Sequence, residues 1–267
     1  MSDADDAPGA ASPEQDAPLE RDVEPAKEAA PDSDPPAPPF FASPTESLGV
    51  AAGVTVATGL VMTFAFDPRR AGTTAMLVAI GLLYASLSAF TLRRLAQRGE
   101  LRSRFRPASG DLTLGAGVAG ALYGIAHLVD QTVATHGSIR EAWIMRVYLQ
   151  LGDPEAPGRA LVGGAVFLIA AMEELVWRGL VMRALEELWG ARRALVITSL
   201  LFAAAHTPTL YLLGDAAAGL NPLIVLAALG CGTVWGLVYL RTSRLLPALF
   251  AHALFSWAVV EFPIWRP

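Results

Sequence analysis

The chain has 267 residues, 53% of them hydrophobic and 17% charged, with 25 acidic against 20 basic residues and a positive mean hydropathy. A slightly acidic balance supplies no basic field for nucleic acid, so none is expected as a partner. Cys231 is the only cysteine, which excludes an intramolecular disulfide and a thiolate metal cluster.

That balance averages two unlike regions. Residues 1–46 hold 12 Asp or Glu against Arg21 and Lys27, together with 10 of the 19 prolines; the remainder has 13 acids and 18 bases. The first region is too charged and too poor in large apolar residues to bury a core, so it reads as a disordered acidic tail. With no basic start followed by an apolar stretch, it is not expected to be a signal peptide.

From residue 47 onward, apolar runs recur at lengths that match spanning helices of about 20 residues. Seven are expected: Ser47–Phe66, Ala71–Leu92, Leu112–Val133, Ala160–Met182, Ala194–Leu213, Pro222–Leu240 and Leu246–Phe262. The fold class is therefore all-α, a polytopic transmembrane helical bundle divided into the tail (1–46), N-terminal spans (47–158) and a core (159–262). The stretch Ile139–Leu151 mixes Arg140, Glu141 and Arg146 with Trp143, Ile144, Val147 and Tyr148. It is too short and too charged to span, and reads as an interfacial helix or the mouth of a cavity.

Short loops rich in basic residues stay in the cytoplasm. The loop after the second run carries six arginines between Arg93 and Arg106, and Arg183, Arg192, Arg193, Arg241 and Arg244 fall on the same side. Against these 11 stand Arg69, Arg70, Arg140, Arg146, Arg159 and Arg266. The expected N-terminus is cytoplasmic. Lys27 is the sole lysine; this arginine-heavy usage suggests a GC-rich bacterial genome and residence in a bacterial cytoplasmic membrane.

The fourth run contains Glu173-Glu174-Leu175-Val176-Trp177-Arg178. A charge at the centre of a membrane helix costs roughly 2.5–3.5 kcal/mol on insertion scales, so three such groups need partners and a purpose. Glu174 and Arg178 are one turn apart in the favourable order, whereas Glu173 points about 100° away. Glu174 is therefore read as the partner of Arg178, and Glu173 as the free carboxylate. Three of the four histidines, His127, His206 and His252, lie in runs, and His136 in a loop. At about 1.5 Å per residue, Glu173, His206 and His252 sit roughly 15, 18 and 9 Å above the cytoplasmic ends of their helices. They are expected to converge on one site reached from the cytoplasm. A carboxylate shielded from water is a stronger base than in solution and could deprotonate a water molecule. Histidines could hold that water, stabilise an oxyanion or bind a metal.

These residues resemble the CPBP family of intramembrane endopeptidases, which includes type II CAAX prenyl proteases and bacteriocin-processing or immunity proteins. The resemblance rests on Glu173, Glu174 and Arg178, on Phe202-Ala-Ala-Ala-His206, and on His252, with Gly232-x-x-x-Gly236 between the last two. Four residues after His252 the chain has Ser256 where the family pattern has Asn or Asp; Ser lacks the amide's two donors. The resemblance implies a membrane endopeptidase cutting a peptide or membrane-anchored protein near the cytoplasmic leaflet. Glu173 would activate water, His206 and His252 would stabilise the transition state, and Arg178 would brace the helix through Glu174. No cofactor is expected; the alternative is a zinc ion on Glu173, His206 and His252. Prenylated substrates are not expected in a bacterium. The competing readings are a non-catalytic scaffold or immunity protein that keeps the fold, and an ion transporter. His127 and Asp130 are expected to be structural.

Overall fold

The computed structural model describes residues 39–153 and 155–265. Residues 1–38 of the expected tail and Arg266 lie outside the described residues. The end of that tail is built into the protein. Phe40 is fully buried, its N–H donates to Glu187 at 2.5 Å, and its carbonyl accepts from Arg94 at 2.8 Å. Helix α1 (Pro44–Ala65) begins three residues before the expected run because Ser43 caps it, accepting from the Glu46 N–H at 3.2 Å. Glu46 reaches back to the Ala42 N–H, in the manner of a capping box.

The described chain is helical with no strand. After α1 come α2 (Ala75–Gln97), the short α3 (Leu101–Phe105), α4 (Asp111–Thr132) and α5 (Glu141–Leu151). The C-terminal half comprises α6 (Arg159–Val176), α7 (Arg183–Trp189), α8 (Ala191–Ala205), α9 (Pro208–Leu212), α10 (Leu223–Thr242) and α11 (Leu246–Glu261). Six helical stretches are long and apolar enough to cross a membrane: α1, α2, α4, α6 through α7, α8 through α9, and α10. The seventh expected run forms α11, which has only 16 residues. Leu60, Leu82, Leu128, Leu161 and Leu226 are at least 60% exposed, as lipid-facing side chains of an integral membrane protein should be.

Two spans depart from uniform helices. Between α6 and α7, residues Trp177–Met182 form a π-helical turn inside a 31-residue stretch, Arg159–Trp189. Such turns are frequent at functional sites. The run expected as Ala194–Leu213 breaks at His206 and Thr207, just before Pro208, which has no N–H to continue the hydrogen-bond ladder of α8.

Helices α6 and α11 pack extensively together; α4 lies against α11, α2 against α6, and α10 against α8. The tightest core surrounds the π turn: Trp177, Arg178, Leu180, Val181, Met182, Ala184 and Leu185 are all at most 1% exposed. At that end of the bundle, Glu100 pairs with Arg104 at 3.0 Å and with Arg183 at 3.1 Å, while Arg183 also reaches Glu187 at 2.9 Å. At the other end α5 lies among the connections. Its Tyr148 hydroxyl donates to the Val259 carbonyl at 3.1 Å, its Trp143 carbonyl accepts from Asn221, and its Arg146 pairs with Asp215 at 3.2 Å.

Candidate active site

Helix α6 carries Glu173 and Glu174 one turn before the π turn, and Arg178 within it. Glu174 is fully buried and Arg178 is 1% exposed. Their i,i+4 spacing is realised as an ion pair at 2.9 Å. The second guanidinium nitrogen donates to the Gly232 carbonyl of α10. That approach requires bare backbone: a Cβ at Gly232 would lie 2.9 Å from the Phe202 ring, and one at Gly236 would lie 2.3 Å from Leu195. The Gly232/Gly236 pair thus admits both α8 and the arginine to the face of α10.

His252, on α11, joins the two glutamates. Its Nδ1 lies 3.1 Å from the same Glu174 oxygen that pairs with Arg178, and its Nε2 lies 3.7 Å from Glu173 Oε2. Glu174 therefore serves two partners, Arg178 and His252. Trp235 stacks on the imidazole, with centroids 3.6 Å apart and planes 19° apart. Its rotation is thus held from the side and from one nitrogen.

His206 caps the broken end of α8. Its backbone N–H turns back to Ala203 and Ala204, so the Phe202 carbonyl lacks its usual i+4 donor; the imidazole Nδ1 takes that place at 2.7 Å. A carbonyl can only accept, so Nδ1 carries a proton and Nε2 is left for other work. Phe202 sits between the groups, edge-on to Trp177 at 5.1 Å and to His206 at 4.7 Å, with Arg178 over its ring at 5.6 Å.

Glu173, His206, His252 and Ser256 line one chamber of about 640 Å³. The other walls are almost wholly apolar: Met62, Ile80, Leu122, Ile169 and Val234 are examples. The long helices contribute mainly from the half nearest α5. Examples are Phe66 at the end of α1, Met76 at the start of α2, Val129 late in α4, Val166 early in α6 and Ile224 early in α10. The chamber thus runs from the glutamates toward α5, whose Ile144, Val147 and Tyr148 form part of its wall, and away from the arginine-rich loops. The packed residues of the π turn and α7 lie on the arginine-rich side of the glutamates.

His127 stands apart, edge-on to Tyr123 at 4.9 Å, and His136 pairs with Glu141 at 2.8 Å. Two neighbours of the cluster escaped sequence reasoning. Tyr84 of α2 is fully buried, accepts from the Trp177 indole N–H at 3.1 Å and lies within reach of Glu173. It sits in an otherwise unremarkable apolar run, with no sequence signal. Trp235 could have been noticed as the aromatic residue inside the Gly232-x-x-x-Gly236 segment. Among the described residues no group of three or more His, Cys, Asp or Glu side chains is arranged to hold a metal ion.

Residues 156–258, which contain Glu173, Glu174, Arg178, His206, Trp235, His252 and Ser256 but not Tyr84, match the family model described as Type II CAAX prenyl endopeptidase Rce1-like. No curated protein and no solved structure matches the chain. The matched stretch carries Glu173, Glu174, Arg178, His206 and His252 in order, so this C-terminal portion of the chain is similar to the type II CAAX prenyl endopeptidase family.

Proposed function

We propose that the protein is an intramembrane endopeptidase in which Glu173 activates a water molecule for attack on a peptide carbonyl held in the chamber. The observation that carries this reading is the position of Glu173: its Oε2 lies 3.7 Å from His252 Nε2 at the inner end of an apolar chamber. In the attack, Glu173 accepts a proton from water as the oxygen bonds to the carbonyl carbon, and the carbonyl oxygen becomes an oxyanion. His252 and the Nε2 edge of His206 stand beside that charge. Glu174, shared between Arg178 and His252, positions the imidazole. The reaction needs no metal in this scheme. The substrate is a peptide or a membrane-anchored protein with apolar residues at the cleavage site, matching the chamber walls.

The test is incubation of purified protein with a peptide library, comparing wild type with Glu173→Ala and His252→Ala. Cleavage lost in both variants and retained after exhaustive chelation is the expected result. Cleavage that survives Glu173→Ala removes the base assignment, and no cleavage by any form favours a scaffold.

The chamber's lining lies toward α5, so we read its entrance as on that side; a cytoplasmic arginine-rich end and access to the site from the cytoplasm then exclude each other. Val147→Cys, placed on the chamber wall in a Cys231→Ser background, decides between them with a membrane-impermeant maleimide. Labelling of intact cells keeps the charge rule; labelling of inverted vesicles alone keeps cytoplasmic access.

A further inference from the structure

We infer that Tyr84 is a positioning residue for Glu173, its buried hydroxyl donating a hydrogen bond that holds the carboxylate from behind. Resting on the proposed hydrolysis, the inference adds a residue of α2, outside the stretch 156–258 that matches the family model.

Tyr84 is fully buried, so its oxygen must find its partners inside the protein. A phenol oxygen has one hydrogen to give and two lone pairs that accept. One lone pair takes the Trp177 indole N–H at 3.1 Å; an indole nitrogen can only donate, which fixes the direction of that bond. The hydroxyl of Thr58, also fully buried, stands 3.4 Å away on α1. Thr55 and Thr63 of the same helix donate to carbonyls four residues back, whereas Thr58 is turned to Tyr84. The Glu173 carboxylate, which only accepts when ionised, lies within reach on the remaining side. One set of directions gives every hydrogen in this group an acceptor: Trp177 and Thr58 donate to Tyr84, and Tyr84 donates to Glu173. Reversing the Thr58 bond would strand the Thr58 hydrogen and leave Glu173 without the donor.

Glu173 is thereby held from two sides. His252 Nε2 stands 3.7 Å from Oε2 and lines the chamber with it, while Tyr84 lies behind the glutamate rather than in the chamber wall. A glutamate side chain beside an apolar chamber would otherwise sample several rotamers. A charge-assisted bond from a rigid ring removes that freedom and keeps the carboxylate where a water molecule can reach it. Thr58, Tyr84 and Trp177 come from α1, α2 and the π turn, so three separate elements fix the donor. In the reaction the phenol keeps its own proton; Glu173 takes up the proton of the attacking water. Tyr84 touches neither the water nor the peptide, and acts only through the base.

Tyr84→Phe keeps the ring and removes only the hydroxyl. With the best substrate from a quenched fluorescent peptide library and the full chain in detergent, kcat should fall about tenfold to a hundredfold with KM unchanged, as for a misplaced reacting group. Thr58→Val disturbs the same junction without touching Glu173, so it should lower the melting temperature and leave kcat close to wild type. Unchanged kcat in Tyr84→Phe, a loss confined to KM, or an equal loss of kcat in Thr58→Val overturns the proposal. Glu173→Gln is run alongside: activity in that variant overturns the underlying hydrolysis scheme, whereas an inactive Glu173→Gln with a fully active Tyr84→Phe overturns only the tyrosine role. A readout independent of turnover is the infrared C–O stretch of the phenols in protein carrying ring-labelled tyrosine. Exchanging the charged acceptor for a neutral amide in Glu173→Gln should shift one tyrosine band, and the same exchange in a Tyr84→Phe background should shift none. A tyrosine spectrum unchanged by Glu173→Gln counts against the proposal even if Tyr84→Phe fails to fold.

Discussion

The two ends of the bundle are built on opposite principles. At the arginine-rich end, Glu100, Arg104, Arg183 and Glu187 form a linked set of ion pairs over a core of fully buried Trp177, Leu180 and Met182. At the α5 end, a large apolar chamber is closed by a short helix tied by separate hydrogen bonds from Tyr148, Trp143 and Arg146. The division separates two requirements. One end holds Glu174 and Arg178 in a fixed geometry, and in the proposed function the other must admit a peptide. Variants on either side should therefore differ in kind: those at the packed end should lower stability, and those at the α5 end should change access.

The largest loss is expected from Arg178→Ala. Removing one partner of a buried ion pair leaves the other uncompensated, at about 3–5 kcal/mol. Glu174 would keep only His252, and the Gly232 carbonyl would lose its donor. Thermal melting in detergent measures this, and a melting temperature within a degree or two of wild type would contradict the packed end as described.

Next is Gly236→Val. Its Cβ would lie 2.3 Å from Leu195, so α10 must move away from α8, an overpacking penalty of about 1–3 kcal/mol. Because α10 also carries Trp235, activity should fall further than stability. Equal melting and activity in Gly236→Ala and wild type would show that the helices have room to spare.

The parts legible in the sequence are those that a bilayer or a single helix dictates. Long apolar runs located the six spanning stretches to within a few residues, because lipid demands about 20 apolar residues whatever the neighbours are. The pairing of Glu174 with Arg178 was equally legible, since i,i+4 geometry is local. What lies between helices was not. The second bond of Glu174 to His252, the stacking of Trp235, the place of Tyr84 and the direction of the chamber all depend on how each helix is rotated about its axis. Apolar residues surround these membrane helices on nearly every side, so periodicity leaves that rotation unspecified. The expected span Ala194–Leu213 runs through Pro208, whose missing N–H marks the break that frees His206. Nothing in Trp177–Met182 announces a π turn.

A smaller effect at the packed end depends on pH. Burial alone would raise the Glu100 carboxyl, but hydrogen bonds and charge from Arg183 and Arg104 prevail and hold it below its usual range. Such a group stabilises the fold above its unfolded value of about 4.3, and that contribution is lost as pH falls through the lowered folded value. Glu100→Gln should cost about 1 kcal/mol or less at neutral pH, being partly solvated. The difference in melting temperature between this variant and wild type should shrink below about pH 4. A difference that stays constant to pH 3 would mean the ion pairs do not set it.

The smallest change in stability, and the most telling about the α5 end, is expected from Arg146→Ala. This removes a part-exposed ion pair to Asp215 at 3.2 Å, of a kind that contributes little to stability. Asp215 is held below its usual range first by the Ala217 N–H, then by Arg146 and the Ala218 N–H, so its loop keeps two backbone anchors after the arginine is gone. The fold should therefore survive while one tie between α5 and the α9–α10 connection is released. Cys231 lines the chamber and is the only thiol in the chain, which makes it a reporter of access. Loss of such a pair is hard to see in melting, but it shifts an opening equilibrium by up to about fivefold. Modification of Cys231 by a bulky maleimide should accelerate by that factor in Arg146→Ala and stay at the wild-type rate in Glu100→Gln. Equal acceleration in both variants would mean that the chamber opens by general loosening of the bundle, and α5 would lose its separate role.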